Sequence, residues 1–174
     1  MDIEAHHIDD IRVQMRKARA LAEGAIEQVS DEDLFRQLDP ESNSIAILMR
    51  HVAGNLKSRF TDFLTSDGEK PDRHRDGEFE VAGGMTRKTV RAEWDLGFSR
   101  LESALDALTP ADLAREVQIR GERLTVMQAL HRAFGHVSMH VGQIVMLAKH
   151  LRGANWRTLS IPRGQSEAYS RRKS

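Results

Sequence analysis

Residues 125–153 have the sequence TVMQALHRAFGHVSMHVGQIVMLAKHLRG. The apolar side chains of this stretch recur at the three- and four-residue spacing of an amphipathic helix. Thr125 can cap the first turn, and Gly153 stands where a helix C-cap commonly lies. The stretch therefore predicts a long helix that ends near Arg152. A helix with one apolar face must bury that face against other elements, so this segment requires packing partners elsewhere in the chain.

Three earlier segments show the same helical spacing and can provide that cover. The predicted helices begin near Ile3, near Ser42 to Ser44 and at Thr86, and their inner faces include Ile8, Ile11, Met15, Leu48, Val52, Phe60, Trp94, Phe98 and Leu101. Four long amphipathic helices in one chain predict an all-α fold of the four-helix-bundle type. Residues 154–174 follow the last helix without a clear helical pattern. We expect a domain of residues 1–153 and a tail of residues 154–174 that packs on it, with the last residues disordered.

The connections between the predicted helices indicate the topology of the bundle. Residues 66–85 contain glycines, a proline and many charges, and they predict a long loop. Twenty extended residues can span about 66 Å, so this loop can cross the whole bundle and leave the second and third helices parallel. Residues 116–125 are compatible with a small irregular hairpin that turns at Gly121.

The composition excludes several classes of function. Lys and Arg together number 26, as do Asp and Glu, so the formal net charge is zero and a general nucleic-acid binder is not expected. The chain has no cysteine, which excludes disulfides and thiolate metal sites. No apolar run approaches the length of a membrane span, and the acidic start MDIEAHHIDDIR is unlike a signal peptide. We therefore expect a cytoplasmic protein without membrane contact.

Two histidines lie four residues apart on the last predicted helix. Four residues leave an angular offset of about 40°, so His136 and His140 share one face of that helix. The same stripe contains Ala129, Ala133, Ile144, Leu147 and Leu151, which directs both imidazoles inward. A buried imidazole needs a partner for each ring nitrogen. A metal ion is one such partner, and hydrogen bonds to core carbonyls or hydroxyls are the alternative.

His51, on the second predicted helix, is the best candidate for a third metal ligand. It lies at the edge of an apolar stripe, and three neutral imidazoles suit Zn²⁺, Ni²⁺, Fe²⁺ or Cu²⁺ with positions left for water or substrate. Asn55 follows four residues later on the same face and could orient that water or substrate. Its alternative role is that of a polar residue at a seam between helices.

The segments HVSMHVGQI, which follows LHRAFG, and MRHVAGN resemble the DinB/YfiT-like metalloenzyme superfamily. His136, His140, Gly142 and Gln143 match its motif H-x-x-x-H-x-G-Q, and its histidine on the second helix falls on His51. The tail segment NWRTLSIPRGQSEAY resembles a branch of uncharacterised function. The resemblance implies a four-helix bundle with a long crossover, a homodimer, and one divalent ion per chain held by three histidines. Many relatives carry arginine where this chain has Val141, which puts one polar contact near the metal in doubt.

The resemblance also implies a class of activity. Characterised relatives include thiol-dependent transferases and isomerases, so we expect a metal-dependent enzyme that acts on a small molecule, with a low-molecular-weight thiol as partner and S-transfer or hydrolysis as the reaction. Zinc is the expected metal, with nickel, iron or manganese as alternatives. The rival hypothesis is a non-catalytic binding or stress-response protein in which a structural ion joins two helices. Gly142 is expected to permit a close helix approach, and Gln143 to support the site rather than react.

Overall fold

The computed structural model describes residues 2–81 and 83–171. Within these residues the chain is mostly helical, with one small two-stranded sheet. The helices are α1 (Ile3–Ile26), α2 (Asp31–Phe35), α3 (Ile45–Phe60), α4 (Arg87–Ala107), α5 (Val126–Arg152) and α6 (Ser166–Arg171), and the strands are β1 (Glu116–Ile119) and β2 (Glu122–Thr125). Short 3-10 turns cover Asp76–Phe79, Pro110–Ala114 and Gly153–Asn155.

Capping side chains fix where the long helices begin. Ser44 Oγ accepts a hydrogen bond from the backbone N–H of Ile47, which satisfies one free donor of the first turn of α3. Thr125 and Gln128 form a reciprocal capping box at the start of α5, and Thr86 forms another with Thr89 at the start of α4. The helix starts predicted from the sequence are therefore confirmed, as is the C-cap at Gly153.

Close pairing of the helices buries their apolar faces in one core. Helix α3 packs along α4, α1 packs along α5, and α3 also contacts α5. Gly97 of α4 makes the first pairing tight, because a Cβ at that position would lie 2.7 Å from Ala53 Cα. The prediction that Gly142 permits the close approach of another helix was wrong. Gly142 is exposed, and an added Cβ there would meet no atom of the described residues within 4 Å.

The long connection between α3 and α4 is hydrogen-bonded to the hairpin of β1 and β2. Strands β1 and β2 pair antiparallel, and Arg120 and Gly121 form their turn with positive φ angles of 57° and 74°. Asp67 accepts hydrogen bonds from both backbone N–H groups of that turn, at 2.9 and 2.8 Å. Further along the connection, the turn Asp76–Phe79 packs on α3. This brings Glu78, a buried carboxylate, against the helix that carries His51.

The C-terminal tail contacts the core through two side chains. Trp156 and Leu159 are partly buried against it, and Leu159 Cδ2 would lie 3.1 Å from a Cβ added at Gly24. The tail also contains α6, although the sequence of the tail has no clear helical pattern. Disorder was expected for the last residues of the tail, and residues 172–174 lie outside the described residues. None of the described helices combines the length and the apolar character that crossing a membrane requires.

Candidate metal centre

Three histidines from two helices meet at one point. His51 comes from α3, and His136 and His140 come from α5, one helical turn apart. One ring nitrogen from each lies within 4.8 Å of the others. His136 Nε2 lies 3.1 Å from His51 Nε2 and 3.2 Å from His140 Nε2. The three ligands predicted from the sequence are therefore brought together at distances that could hold a metal ion.

The outer nitrogens of two of these rings are fixed by hydrogen bonds. His51 Nδ1 lies 2.9 Å from Glu78 Oε2, and His140 Nδ1 lies 2.8 Å from Gln143 Oε1. Burial acts to raise the pKa of Glu78, but hydrogen bonds from His51 and Arg73 outweigh it, and the pKa is lowered. Glu78 is thus an ionised acceptor. A ring that donates from Nδ1 presents a lone pair at Nε2, so both Nε2 atoms face His136 as acceptors.

His136 completes the donor set. Its pKa is lowered to about 3, first by burial and then by the neighbouring His140 and His51, so it is neutral at pH 7. Its Nδ1 is buried and has no hydrogen-bond partner within residues 2–81 and 83–171. A neutral His136 can offer only a single Nε2–H, which the two facing lone pairs must share. A cation can instead accept a lone pair from each of the three Nε2 atoms, with the His136 proton on Nδ1. The donor set therefore fits a divalent ion.

The alternative of ordinary core histidines predicts bonds to carbonyls or hydroxyls. In the described part of the chain, the ring nitrogens lie instead within hydrogen-bond distance of one another, a carboxylate and an amide. Hydrogen bonds from ligating imidazoles to a carboxylate or amide are the usual outer support of protein metal sites, where they fix the tautomer and orient the ring. Gln143 has the supporting position that the sequence assigned to it.

Two residues of the site were missed in the sequence. Glu78 lies in the connection 66–85, where the surrounding charges resemble a solvated loop, and Arg73 donates to both its oxygens at 2.8 and 2.9 Å. Gly54 of α3 leaves the space that the carboxylate occupies, since a Cβ there would overlap Glu78 Oε1. The one available signal was a glycine inside a strongly apolar helix, three residues after His51.

A family model described as "Protein of unknown function (DUF1572)" matches residues 2–165. The chain belongs to the DUF1572 family. No curated protein and no solved structure matches it. The three histidines, Glu78 and Asn55 all lie inside the matched range, so the candidate metal centre belongs to the DUF1572 region of the chain.

A cavity of about 200 Å³ opens beside the histidines of this DUF1572 chain. Its wall includes His51 and His136, together with Asn55 of α3. The remaining lining is partly apolar and partly cationic: Arg59, Phe60, Phe63, Arg73, Arg75, Ile119, Arg120, Ala129, Arg132 and Ala133. A small molecule in this cavity would touch two of the candidate ligands and Asn55 together.

Proposed function

We propose that this protein is a metal-dependent enzyme in which His51, His136 and His140 hold one divalent ion, zinc in first place and nickel, iron or manganese as alternatives. The observation that carries the proposal is the convergence of three Nε2 atoms, two of them on rings whose Nδ1 atoms are fixed by Glu78 and Gln143. A bound ion would supply Lewis-acid activation of a water or a thiol. Three imidazoles leave at least one coordination position for such a group.

The protein's own side chains then position the ligands and the substrate. Glu78 and Gln143 hold the His51 and His140 rings with Nε2 facing inward. Asn55 presents both an amide donor and an amide acceptor at the cavity wall, and we assign it the orientation of the substrate. Neither His136 nor His140 has an adjacent glutamate on α5, so proton transfer must involve another group.

The fold and reaction class are proposed on the resemblance to the DinB/YfiT-like superfamily. Helices α1, α3, α4 and α5 would form the four-helix bundle of that superfamily, with residues 61–86 as the crossover. The pairings of α3 with α4 and of α1 with α5 support this arrangement. The same resemblance supports a homodimer and thiol-dependent S-transfer on a small molecule.

The alternative is a non-catalytic binding or stress-response protein with a structural ion. It is favoured by the placement of the ligands on two helices, because an ion there would join α3 to α5. The cavity beside the ligands favours the enzyme instead, since a purely structural zinc site is normally closed by a fourth protein ligand.

Metal analysis and cobalt spectroscopy on untagged protein test the proposal. We expect one divalent ion per chain and its loss in His136→Ala and His140→Ala. In the cobalt-substituted protein, a small thiol should shift the visible spectrum, because the coordination shell is open. The Asn55→Ala variant should keep its metal and change its thiol affinity. A spectrum that responds to no added ligand would support the structural ion and reject the enzyme.

A further inference from the structure

Arginine dominates the polar lining of the cavity beside the histidines. Within the described part of the chain, five arginines line it and no aspartate or glutamate does. They are Arg59, Arg73, Arg75, Arg120 and Arg132. The chain as a whole has a formal net charge of zero, so this concentration of positive charge is local.

The side chains of two of these arginines are buried in the protein interior. The side chain of Arg73 is 4% exposed, and its Nε and Nη2 donate to Glu78. Its Nη1 is buried and has no hydrogen-bond partner among the described residues, the carboxylate of Glu69 being 3.7 Å away. Arg59, with its side chain 9% exposed, donates through Nη1 to Glu69 and to the carbonyl oxygen of Gly68. Burying two guanidinium groups costs free energy unless acceptors form hydrogen bonds with them.

The acidic partners of the arginines lie outside the cavity lining. Glu69 accepts from Arg59 and from Arg120 Nε, and Glu122 accepts from Arg132 Nη1. These bonds hold the side chains in place and still leave donors without a hydrogen bond in the described structure, among them both Nη groups of Arg120 and the Nη2 of Arg132. Their side chains are about half exposed, at 53% and 48%. An arginine held in this way is preorganised to bind a planar or tetrahedral oxyanion through paired N–H groups.

The rest of the lining indicates what is attached to the anion. Phe60, Phe63 and Ile119 form an apolar part of the wall. The volume of about 200 Å³ suits a small molecule rather than a polymer. A ligand with one charged end and one short apolar part matches both halves of this surface.

We propose that the cavity binds an oxyanion group, carboxylate or phosphate, and that the substrate of this protein is therefore a small organic anion. Arg73, Arg120 and Arg132 hold the anionic group in the same cavity that His51, His136 and Asn55 line. This inference rests on the site of the proposed function and adds the chemical class of its substrate.

Calorimetric titration with inorganic phosphate and with acetate tests the inference. The full-length chain is titrated at constant ionic strength, both zinc-loaded and metal-free, the latter after dialysis to remove chelator. We expect saturable binding of at least one anion. The Arg120→Gln/Arg132→Gln double variant should bind it at least about tenfold more weakly, because two charge-assisted contacts are lost. A preference for phosphate or for acetate identifies which oxyanion the substrate carries.

A matched control separates a specific site from general attraction by charge. Arg115 and Arg123 are exposed, lie outside the cavity lining and pair with Asp112 and Glu116. The Arg115→Gln/Arg123→Gln variant changes the net charge equally and should bind the anion as wild type does. An equal loss in both double variants would show non-specific attraction and reject the site.

The remaining outcomes distinguish this inference from the proposed metal site. Absence of saturable binding in both metal states at millimolar anion would overturn the inference. Binding that requires zinc and is indifferent to the arginine substitutions would place the anion on the ion alone, and would also overturn it while the metal site stands. Arginine-dependent binding by a protein that never retains metal would support the inference and reject the proposed function.

Discussion

His51 and Glu78 are joined by a 2.9 Å hydrogen bond from His51 Nδ1 to Glu78 Oε2, across 27 positions of sequence. Both side chains are buried, and Arg73 donates to the same carboxylate. This contact fixes which nitrogen of His51 faces His136. The connection between α3 and α4 therefore takes part in the candidate metal centre, although all three histidines lie on helices.

Replacing Glu78 by glutamine should weaken metal binding. The substitution keeps the side-chain shape but removes the negative charge that orients the His51 ring and raises its basicity. Loss of such an outer carboxylate typically costs about 10–100-fold in metal affinity. Competition with a chromogenic chelator measures the zinc affinity of wild type and Glu78→Gln.

Glu116 provides the control for that experiment. It is exposed and pairs only with Arg123 in the described structure, at 3.4 Å, so Glu116→Gln should leave zinc affinity unchanged. Circular dichroism establishes that both variants are folded. A folded Glu78→Gln protein with wild-type zinc affinity would remove Glu78 from the site.

Replacing Gly54 by alanine should disturb the hydrogen bond between His51 and Glu78. The new Cβ would overlap the Glu78 carboxylate, so Glu78 must move away from His51. We expect weaker zinc binding than in wild type, and a smaller loss than in His51→Ala, which deletes a ligand. The chelator competition used for Glu78→Gln gives the comparison directly.

Gly135 offers a matched glycine for comparison. It is an exposed residue of α5 next to His136, and an added Cβ meets no described atom within 4 Å. Gly135→Ala should keep zinc affinity and stabilise the protein by about 0.5–1 kcal/mol, as alanine does in a helix interior. If both alanine variants bind zinc equally well, the steric argument at Gly54 is wrong.

The histidine cluster could be predicted because it depends on local periodicity. The spacing of His136 and His140 fixes their common face once the segment is helical, and the apolar stripe fixes the direction of that face. His51 was found by the same argument on α3. Capping residues such as Thr125 mark helix starts by contacts within a few residues, which explains why these boundaries were also predictable.

Glu78 and Arg73 could not be predicted because their roles depend on contacts distant in sequence. The charges of residues 66–85 have no periodicity, and their positions follow from how the connection folds on α3 and the hairpin. Asp67, for example, accepts hydrogen bonds from Arg120 and Gly121, more than 50 positions later. The cationic cavity wall was missed for the same reason, since Arg59, Arg73 and Arg132 come from three separate segments.

Removing the metal should lower the melting temperature of the protein. An ion that binds only the folded state adds about 2.7 kcal/mol of stability at a hundredfold excess over Kd, which corresponds to roughly 5–10 °C for a domain of this size. Chelator should therefore shift the thermal transition of wild type and have little effect on His140→Ala. His150→Ala, an exposed histidine of the same helix, should respond as wild type does. Equal chelator shifts in wild type and His140→Ala would exclude His140 as a ligand.

The hydrogen bonds that Asp67, in the connection between α3 and α4, accepts from the hairpin turn should depend on pH. The backbone N–H of Glu69 donates to its carboxylate at 2.7 Å and, together with those of Gly121 and Arg120, lowers the pKa of Asp67 against a partial burial that would raise it. Because the folded-state pKa lies below the ordinary value of 3.8, the stabilisation is fully present above that pH and is lost as the pH falls below it.

The Asp67→Asn variant tests this dependence. An amide keeps one acceptor oxygen and loses the other, so unfolding by urea at pH 7 should show a destabilisation on the order of 1 kcal/mol. The difference from wild type should shrink as the pH falls below about 4, because the Asp67 carboxyl of the unfolded wild-type chain then takes up a proton and the stabilisation from its lowered folded-state pKa is progressively lost. Asp76→Asn, at a fully exposed aspartate 3.6 Å from Arg75, should match wild type throughout. A difference at Asp67 that stays constant over this pH range would show that its carboxylate charge does not hold the turn that carries Arg120 to the cavity.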